Sequence, residues 1–373
     1  MKALVTRARR LLAPTRVYYR LNVLRRFLAQ DRVASRGERL SLARARLLLR
    51  GMTGDKRYLY ADAPIGSYWP DFDASRPGAF NGSYAEMLDR KDALHHLMDR
   101  LRFGPPVVGV IRRGAFLPQG DGGETTIAQF LAEVRCAIVR PLLGPEPSPP
   151  WLLVKHGTSF ELDGRVLDGA SVEAILREGF YLVAEVPEDF LAGGEPARLE
   201  FLSIAMLRDR QTRQPFCAFA LKPLATGGGS AATPLRDLLA TAARIDPATG
   251  VLGRAASVVR GPRPERLFLA VDPATGEAIE GQRVPDWEAA LATAHRAMNH
   301  LPMINAATFL LLRGRQGYMV VDASNRLEVA AAQLHGPLLG DARLRAARAA
   351  LLSRRGGTRS DRREPALGSV QQP

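Results

Sequence analysis

Apolar positions along this chain fall into short blocks with two different periods. Helical patterning predicts a helix from Asp89 to Arg102, closed by Gly104-Pro105-Pro106, and a second from about Ser171 to Glu178, capped by Ser171 and ended by Gly179. A third helix opens at Pro285-Asp286-Trp287, with Asp286 as N-cap, and runs through Ala297. A last one follows Asp341 to about Leu352. Thr126 to Val139 also reads as helical, leading into the proline-rich connection Pro141 to Pro150. Short apolar runs predict strands at Val107 to Ile111, Trp151 to Lys155 and Phe180 to Ala184. Leu199 to Leu207 and Phe216 to Leu221 form a hairpin around Asp209 to Gln214, and Ala306 to Leu312 and Tyr318 to Val321 are joined by a turn at Arg313 to Gly317.

Between these blocks the polar residues punctuate. Ile245-Asp246-Pro247-Ala248-Thr249-Gly250 and Val271-Asp272-Pro273-Ala274-Thr275-Gly276 are the same turn twice. The Asp bonds backbone N–H groups ahead of it, Pro sets φ, and Gly supplies a positive φ, which marks strand connections in a mixed sheet. Residues 51–82 are rich in Gly, Pro, Asp and aromatics and read as a packed irregular loop. Gly227-Gly228-Gly229-Ser230 reads as a linker, or more weakly as a phosphate cradle. Residues 354–373 have no apolar period and are expected to be disordered.

At the N-terminus, Val17, Leu21, Leu24 and Leu28 recur at helical spacing, with Arg20, Arg25 and Arg26 elsewhere on the cylinder. Residues 1–50 hold 14 Lys/Arg against Asp31 and Glu38, a balance of +12 out of the chain's +14. A basic arm on a near-neutral body points to a local surface rather than to a nucleic-acid-binding protein as a whole. Two readings of the arm stay open: a helix docked on the body with solvated arginines, or a helix lying on an anionic membrane face. No helix-turn-helix, RNA-recognition or zinc motif supports a specific nucleic-acid partner.

The 373 residues suffice for two or three lobes, and 46% apolar with 24% charged residues is an ordinary globular composition. Apolar runs fall short of the roughly 18 residues that span a bilayer, and no signal peptide is read, so the expected compartment is the cytoplasm, with peripheral attachment to the inner membrane face as the arm's alternative. Cys136 and Cys217 stand apart in apolar surroundings and read as small buried hydrophobes. His156, His295, His300 and His335 are dispersed and form no ligand set.

Three stretches occur in a telling order: Ala243-Arg-Ile-Asp-Pro-Ala-Thr-Gly-Val-Leu252, Val271 through Leu291 including Val284-Pro-Asp-Trp-Glu288, and Gln333-Leu-His-Gly-Pro-Leu-Leu-Gly-Asp-Ala-Arg-Leu-Arg345. Together they resemble the sugar-transfer-associated ATP-grasp family, related to alpha-L-glutamate ligases. The resemblance covers the second half of the chain, with weaker matches back to about Leu88. It implies an α+β ATP-grasp fold: a small α+β lobe and a larger mixed-sheet core lobe, preceded by the basic helical arm. The implied division is 1–50 arm, 51–150 N-terminal lobe, 151–185 small lobe, 186–353 core lobe and 354–373 tail.

It also implies a chemistry, in which ATP and Mg²⁺ activate a small-molecule or glycan-linked carboxylate as an acyl phosphate that a nucleophile then attacks, in glycan or cell-envelope biosynthesis. By the same resemblance Lys91 and Lys155 face the nucleotide phosphates, the Glu185 backbone meets adenine, Glu188 contacts ribose, and Asp322 and Asn325 bind the metal. The chain departs from the family's pattern at four places. His156-Gly157-Thr158-Ser159-Phe160-Glu161 stands where a glycine-rich phosphate loop belongs, and a position near Leu310 lacks the family's earlier metal-binding aspartate. Ser203 lies where an arginine is expected, and Asp322 is shorter than the family's glutamate. The alternative is therefore a degenerate, non-catalytic relative that serves as a binding or scaffold module.

Overall fold

Apolar runs buried on both faces at the sheet centres build two antiparallel sheets, seen in a computed structural model. It describes residues 24–32 apart from 26 and 30, 41–53, 56, 59–60, 63–74, 80–120, 123–142, 150–190, 199–224, 239–259, 265–273, 275–315 and 317–353. The Gly227–Ser230 loop, Val17, Leu21 and the 354–373 tail lie outside the described residues.

The smaller sheet contains β1 (Val107–Arg112), β2 (Ala115–Pro118), β3 (Thr125–Thr126), β4 (Cys136–Pro141), β5 (Trp151–His156), β6 (Ser159–Leu162), β7 (Arg165–Asp168) and β8 (Phe180–Glu185). Their spatial order is β3-β2-β1-β8-β4-β5-β6-β7. The larger sheet contains β9 (Phe201–Arg208), β10 (Pro215–Pro223), β11 (Thr241–Ile245), β12 (Leu252–Val259), β13 (Glu265–Leu269), β14 (Ala306–Gly314) and β15 (Gly317–Ser324), in the order β13-β12-β11-β10-β9-β14-β15. Every ladder among the described residues is antiparallel, so the α+β class holds while the core sheet is not mixed.

The helices are α1 (Leu42–Leu49), α2 (Asp71–Ala74), α3 (Ala85–Asp89), α4 (Lys91–Arg100), α5 (Ile127–Glu133), α6 (Gly169–Arg177), α7 (Trp287–Asn299), α8 (Val329–Gln333) and α9 (Ala342–Ser353). α5 and α6 cover one face of the smaller sheet, burying Ile127, Phe130, Val172 and Leu176 against Ile111, Leu153 and Val183. Its other face packs on the larger sheet, with Cys136, Ile138, Leu152 and Val154 meeting Phe201, Leu312, Met319 and Val321. The far face of the larger sheet carries α7 and α4 through Trp287, Ala294, Met298, Leu94 and others. Both cysteines are buried, and burial pushes each thiol up to about 12, as expected of small core hydrophobes.

Three expectations are corrected here. The helix predicted over Thr126 to Val139 stops at Glu133, and Cys136–Pro141 is a central strand, because the run Cys-Ala-Ile-Val is apolar on both faces and fills the gap between β8 and β5. The cap of α6 is Asp168, whose carboxylate accepts from the Ser171 N–H at 2.7 Å. Asp286 does cap α7 as expected, with φ 49° and through its backbone oxygen, which accepts from the Ala289 and Ala290 N–H groups. The boundary at 150/151 falls inside a sheet: β1 and β4 belong with β5 to β8, whereas the described residues of 51–103 pack on the larger sheet.

Amide side chains lock that earlier segment in place. Gln333 accepts from the Trp69 N–H at 2.5 Å and donates to its carbonyl at 3.1 Å. Asn81, buried, accepts from the N–H groups of Asn305 (2.8 Å) and Ala306 (3.0 Å) and donates to the Ala306 carbonyl at 2.8 Å. At the first repeated turn, Gly250 holds φ at +73° directly under Trp287, where an added Cβ would lie 2.5 Å from the indole. That close approach joins the turn to α7. Asn81→Ala strands buried groups at Asn305 and Ala306 and is expected to cost about 2–4 kcal/mol in urea unfolding; a change below about 0.5 kcal/mol would show that water replaces the amide.

Candidate functional site

Strand alternation decides which side chains can enter the junction between the sheets. On β4, Cys136 and Ile138 face the larger sheet while Ala137 and Val139 face the helices, so Arg140 falls on the junction side. On β5, Leu152 and Val154 take the junction side and Leu153 the helix side, which places Lys155 among the helices. Its ammonium donates to the carbonyls of Leu131 (3.2 Å) and Ala132 (2.5 Å), in the last turn of α5, where unsatisfied carbonyls and the helix dipole favour a cation. Lys155 is therefore a capping lysine, and its ammonium does not enter the junction between the sheets. The residues after it, His156 to Ser159, form a tight hairpin turn between β5 and β6 with Gly157 at φ +59°.

The junction instead receives Arg140 and Lys91. Arg140, 1% exposed, sets its guanidinium 2.7 Å from a carboxylate oxygen of Asp322 on β15. Lys91, the first residue of α4, donates to the same oxygen at 3.0 Å and also to the Ala323 carbonyl. Burial alone would raise the Asp322 pKa, but the charges of Arg140 and Lys91 outweigh it and hold the carboxyl well below the usual range. Burial holds Lys91 below its ordinary value in spite of Asp322.

His95, one turn along α4 and 1% exposed, completes the cluster. Its Nε2 accepts from the Arg140 Nε at 3.0 Å, so the ring is neutral with its proton on Nδ1, an atom without a hydrogen-bond partner among the described residues. Burial first, and the neighbouring guanidinium second, push its pKa down to about 3.

Other assigned positions lie elsewhere. Asn325 donates to Asp89 at 2.9 Å. Glu185 ends β8 with its N–H given to the Pro106 carbonyl at 3.0 Å. Glu188 is exposed and pairs with exposed Arg135 at 2.6 Å. Ser203, Leu310 and Asp322 form one row across β9, β14 and β15: Leu310 pairs with Ser203 on one side and with Asp322 on the other. Three of the four positions where the sequence departs from its resemblance are thus direct neighbours, while the fourth, His156 to Glu161, lies in the β5–β6 hairpin of the other sheet. Asp322 is the single carboxylate of that row, and two cations already neutralise it. Among the described residues no group of three or more His, Cys, Asp or Glu could hold a metal ion, so these side chains do not fit a Mg²⁺ site as they stand.

Arg140 and His95 were not singled out in the sequence. The signal for Arg140 was a charge ending the apolar run Cys136–Val139 just before Pro141, hidden once that run is read as helix. A second row, Val110–Leu182–Arg140, extends the same sheet face across β1, β8 and β4. Beside Val110 a cleft of about 320 Å³ opens, lined by His96, Arg112, Leu117, Gln119 and Phe180 among others.

No family model matches the chain, and no curated protein does. Among solved structures, the ADP complex of an N5-carboxyaminoimidazole ribonucleotide synthetase is 7% identical, with 65% of this chain and 46% of that one covered and a TM-score of 0.37. L-amino acid ligase from Bacillus licheniformis gives 11%, 66% and 43%, with a TM-score of 0.35. A biotin carboxylase–ATP-analogue complex from Campylobacter jejuni gives 10%, 71% and 49%, with 0.34. The chain spans less than half the length of each of these. At these scores they lend no argument about ligand or reaction.

His95 makes a testable contribution to stability. An unfolded histidine takes up a proton as pH falls below about 6.5, whereas the folded one resists to about 3. Its contribution is complete above the higher value and is lost as pH falls toward the lower. His95→Gln, which keeps an acceptor for Arg140, should flatten the urea stability profile between pH 6 and pH 4 by up to ~1.4 kcal/mol per pH unit. Identical slopes would show that His95 titrates normally.

Proposed function

We propose that this chain is an ATP-grasp-like protein that binds ATP at the junction of its two sheets, with Lys91 and Arg140 meeting the phosphates. The observation that carries this reading is the convergence of those two cations, one from α4 and one from β4, on a carboxylate of the larger sheet. Asp322 satisfies them from within the chain, and a triphosphate offers the same kind of acceptor with more charge. The sequence resemblance adds the reaction class: ligase-related chemistry in which a carboxylate takes the γ-phosphoryl group, ADP leaves, and a nucleophile then displaces phosphate. Glycan or cell-envelope biosynthesis is the setting that the resemblance favours.

A second reading has its own observation. Leu310 stands directly opposite Asp322, so the row offers one neutralised carboxylate instead of a pair of acids. This favours a relative that binds nucleotide without transferring its phosphoryl group, acting as a binding or scaffold module. The two readings share the site and differ in turnover.

Calorimetric titration of the whole chain with ATP, with and without Mg²⁺, tests the site. Lys91→Ala and Arg140→Ala should each weaken binding about tenfold or more, the worth of a charge-assisted hydrogen bond. Lys155→Ala should change it less than about threefold, since that ammonium caps α5. No binding by folded protein at millimolar ATP overturns the proposal. ATP turnover that disappears with Asp322→Ala selects the ligase, and binding without turnover selects the module.

A further inference from the structure

The described part of the N-terminal arm has two unlike faces. Its helical residues between 24 and 32 turn Phe27 and Asp31 inward, each 2% exposed, and Phe27 packs edge-on against Phe72 with ring centroids 5.3 Å apart. α1 turns Arg44 and Leu47 inward. The buried guanidinium of Arg44 pairs with the Asp31 carboxylate, and Leu47 packs with Met52 and Tyr68. The described part of the arm is therefore docked, but not by Leu24 and Leu28, which its helical spacing nominates. Leu24 and Leu28 are each 44% exposed.

The outward face of α1 is of the same kind. Leu42, Arg46, Leu49 and Arg50 stand at i, i+4, i+7 and i+8, one face of a helix, opposite buried Arg44 and Leu47. Leu42 is 71% and Leu49 88% exposed, and Arg46 and Arg50 are exposed beside them. Arg25 and Arg32 are exposed on the first helical stretch with Leu24 and Leu28. Both helices thus present leucines interleaved with arginines to solvent, in the segment that holds +12 of the chain's +14 charge.

We propose that this outward face is a docking surface for an anionic lipid bilayer, lying in the plane of the membrane interface. Charge complementarity selects an anionic partner. The leucines select lipid over nucleic acid: a phosphate backbone gives a leucine no apolar surface to enter, whereas acyl chains below a layer of anionic headgroups accept leucines and arginines together. Among the described residues no helix is long and apolar enough to cross a membrane. The inference stands independently of ATP binding.

Vesicle co-sedimentation with the full chain tests it, using phosphatidylcholine vesicles with and without phosphatidylglycerol, and duplex DNA as a competitor. Binding should require the anionic lipid, weaken with added salt, and survive an excess of DNA. Leu42→Ser with Leu49→Ser should lower partitioning roughly tenfold, and Arg46→Ala with Arg50→Ala by a similar or larger factor, about fivefold for each charge. Val166→Ser, at an exposed apolar residue on the far edge strand of the smaller sheet, should leave it unchanged. Circular dichroism confirms that each variant is folded. Absence of binding to anionic vesicles overturns the proposal, as does binding unaffected by the leucine pair. Displacement of the vesicles by DNA would show a nucleic-acid surface instead and overturns it as well.

Discussion

Two cations from separate elements, Arg140 on β4 and Lys91 on α4, meet at Asp322 on β15, and much of the molecule's arrangement depends on their pairing. A buried charge without a partner costs several kcal/mol, and removing one member of a buried pair typically costs about 3–5 kcal/mol. Arg140 can remain 1% exposed inside a central strand because Asp322 reaches it from the other sheet and His95 accepts from its Nε. Lys91 can begin α4 at the same place because it shares that oxygen and the Ala323 carbonyl. The apolar packing between the sheets supplies most of the buried area but little direction, since Cys136, Ile138, Val321 and their neighbours could slide against one another. The charge cluster permits one registration, in which β4, α4 and β15 meet at a point.

The same constraint bears on chemistry. A carboxylate that neutralises two cations is a poor ligand for a further cation, and its neighbours in the row, Leu310 and Ser203, supply neither acid nor base. What the cluster presents to a ligand is its cationic half: a guanidinium, an ammonium, and a neutral imidazole whose Nδ1 proton has no partner among the described residues. Such a group suits an anion.

Part of this was legible in the sequence. β1, β5, β8, β9, β10, β14 and β15 were read from short apolar runs, as were the hairpin around Asp209–Gln214 and the two Asp-Pro-Ala-Thr-Gly turns, because local rules decide them. β2, β3, β6, β7, β11, β12 and β13 were not, since they are short or broken by Gly, Ala and charged residues and are held by their neighbours in the sheets. The positions compared across β9, β14 and β15 fall in one hydrogen-bonded row. Cys136–Pro141 was lost because a strand buried on both faces lacks alternation and borders a true helix, α5. That loss carried the site with it. Without β4, the cation nearest a strand end was Lys155, and only the pairing of β4 with β5 and β8 shows that Lys155 points to the helices while Arg140 points to the junction. Ser171 shows the smaller version of the same limit, since a cap is set by which side chain reaches the open N–H groups, and at α6 that is Asp168, three residues earlier.

One continuous stretch of chain links the arm to the cluster. Phe27 meets Phe72, Leu47 meets Met52 and Tyr68, Trp69 is held by Gln333, Asn81 by Asn305 and Ala306, and Lys91 by Asp322. Each contact joins a segment near the N-terminus to a neighbour in sequence or to the larger sheet, so the arm has a fixed place on the same body that carries the cations. A surface attached through Leu42 and Leu49 would therefore hold the junction in one orientation instead of letting it tumble on a linker. The physical consequence concerns substrates. A site fixed relative to an interface meets amphiphiles whose polar ends protrude from that interface, while dissolved molecules reach it from the other side. An arm that was only a solvated helix would impose no such asymmetry, and its outward leucines would then have no physical account.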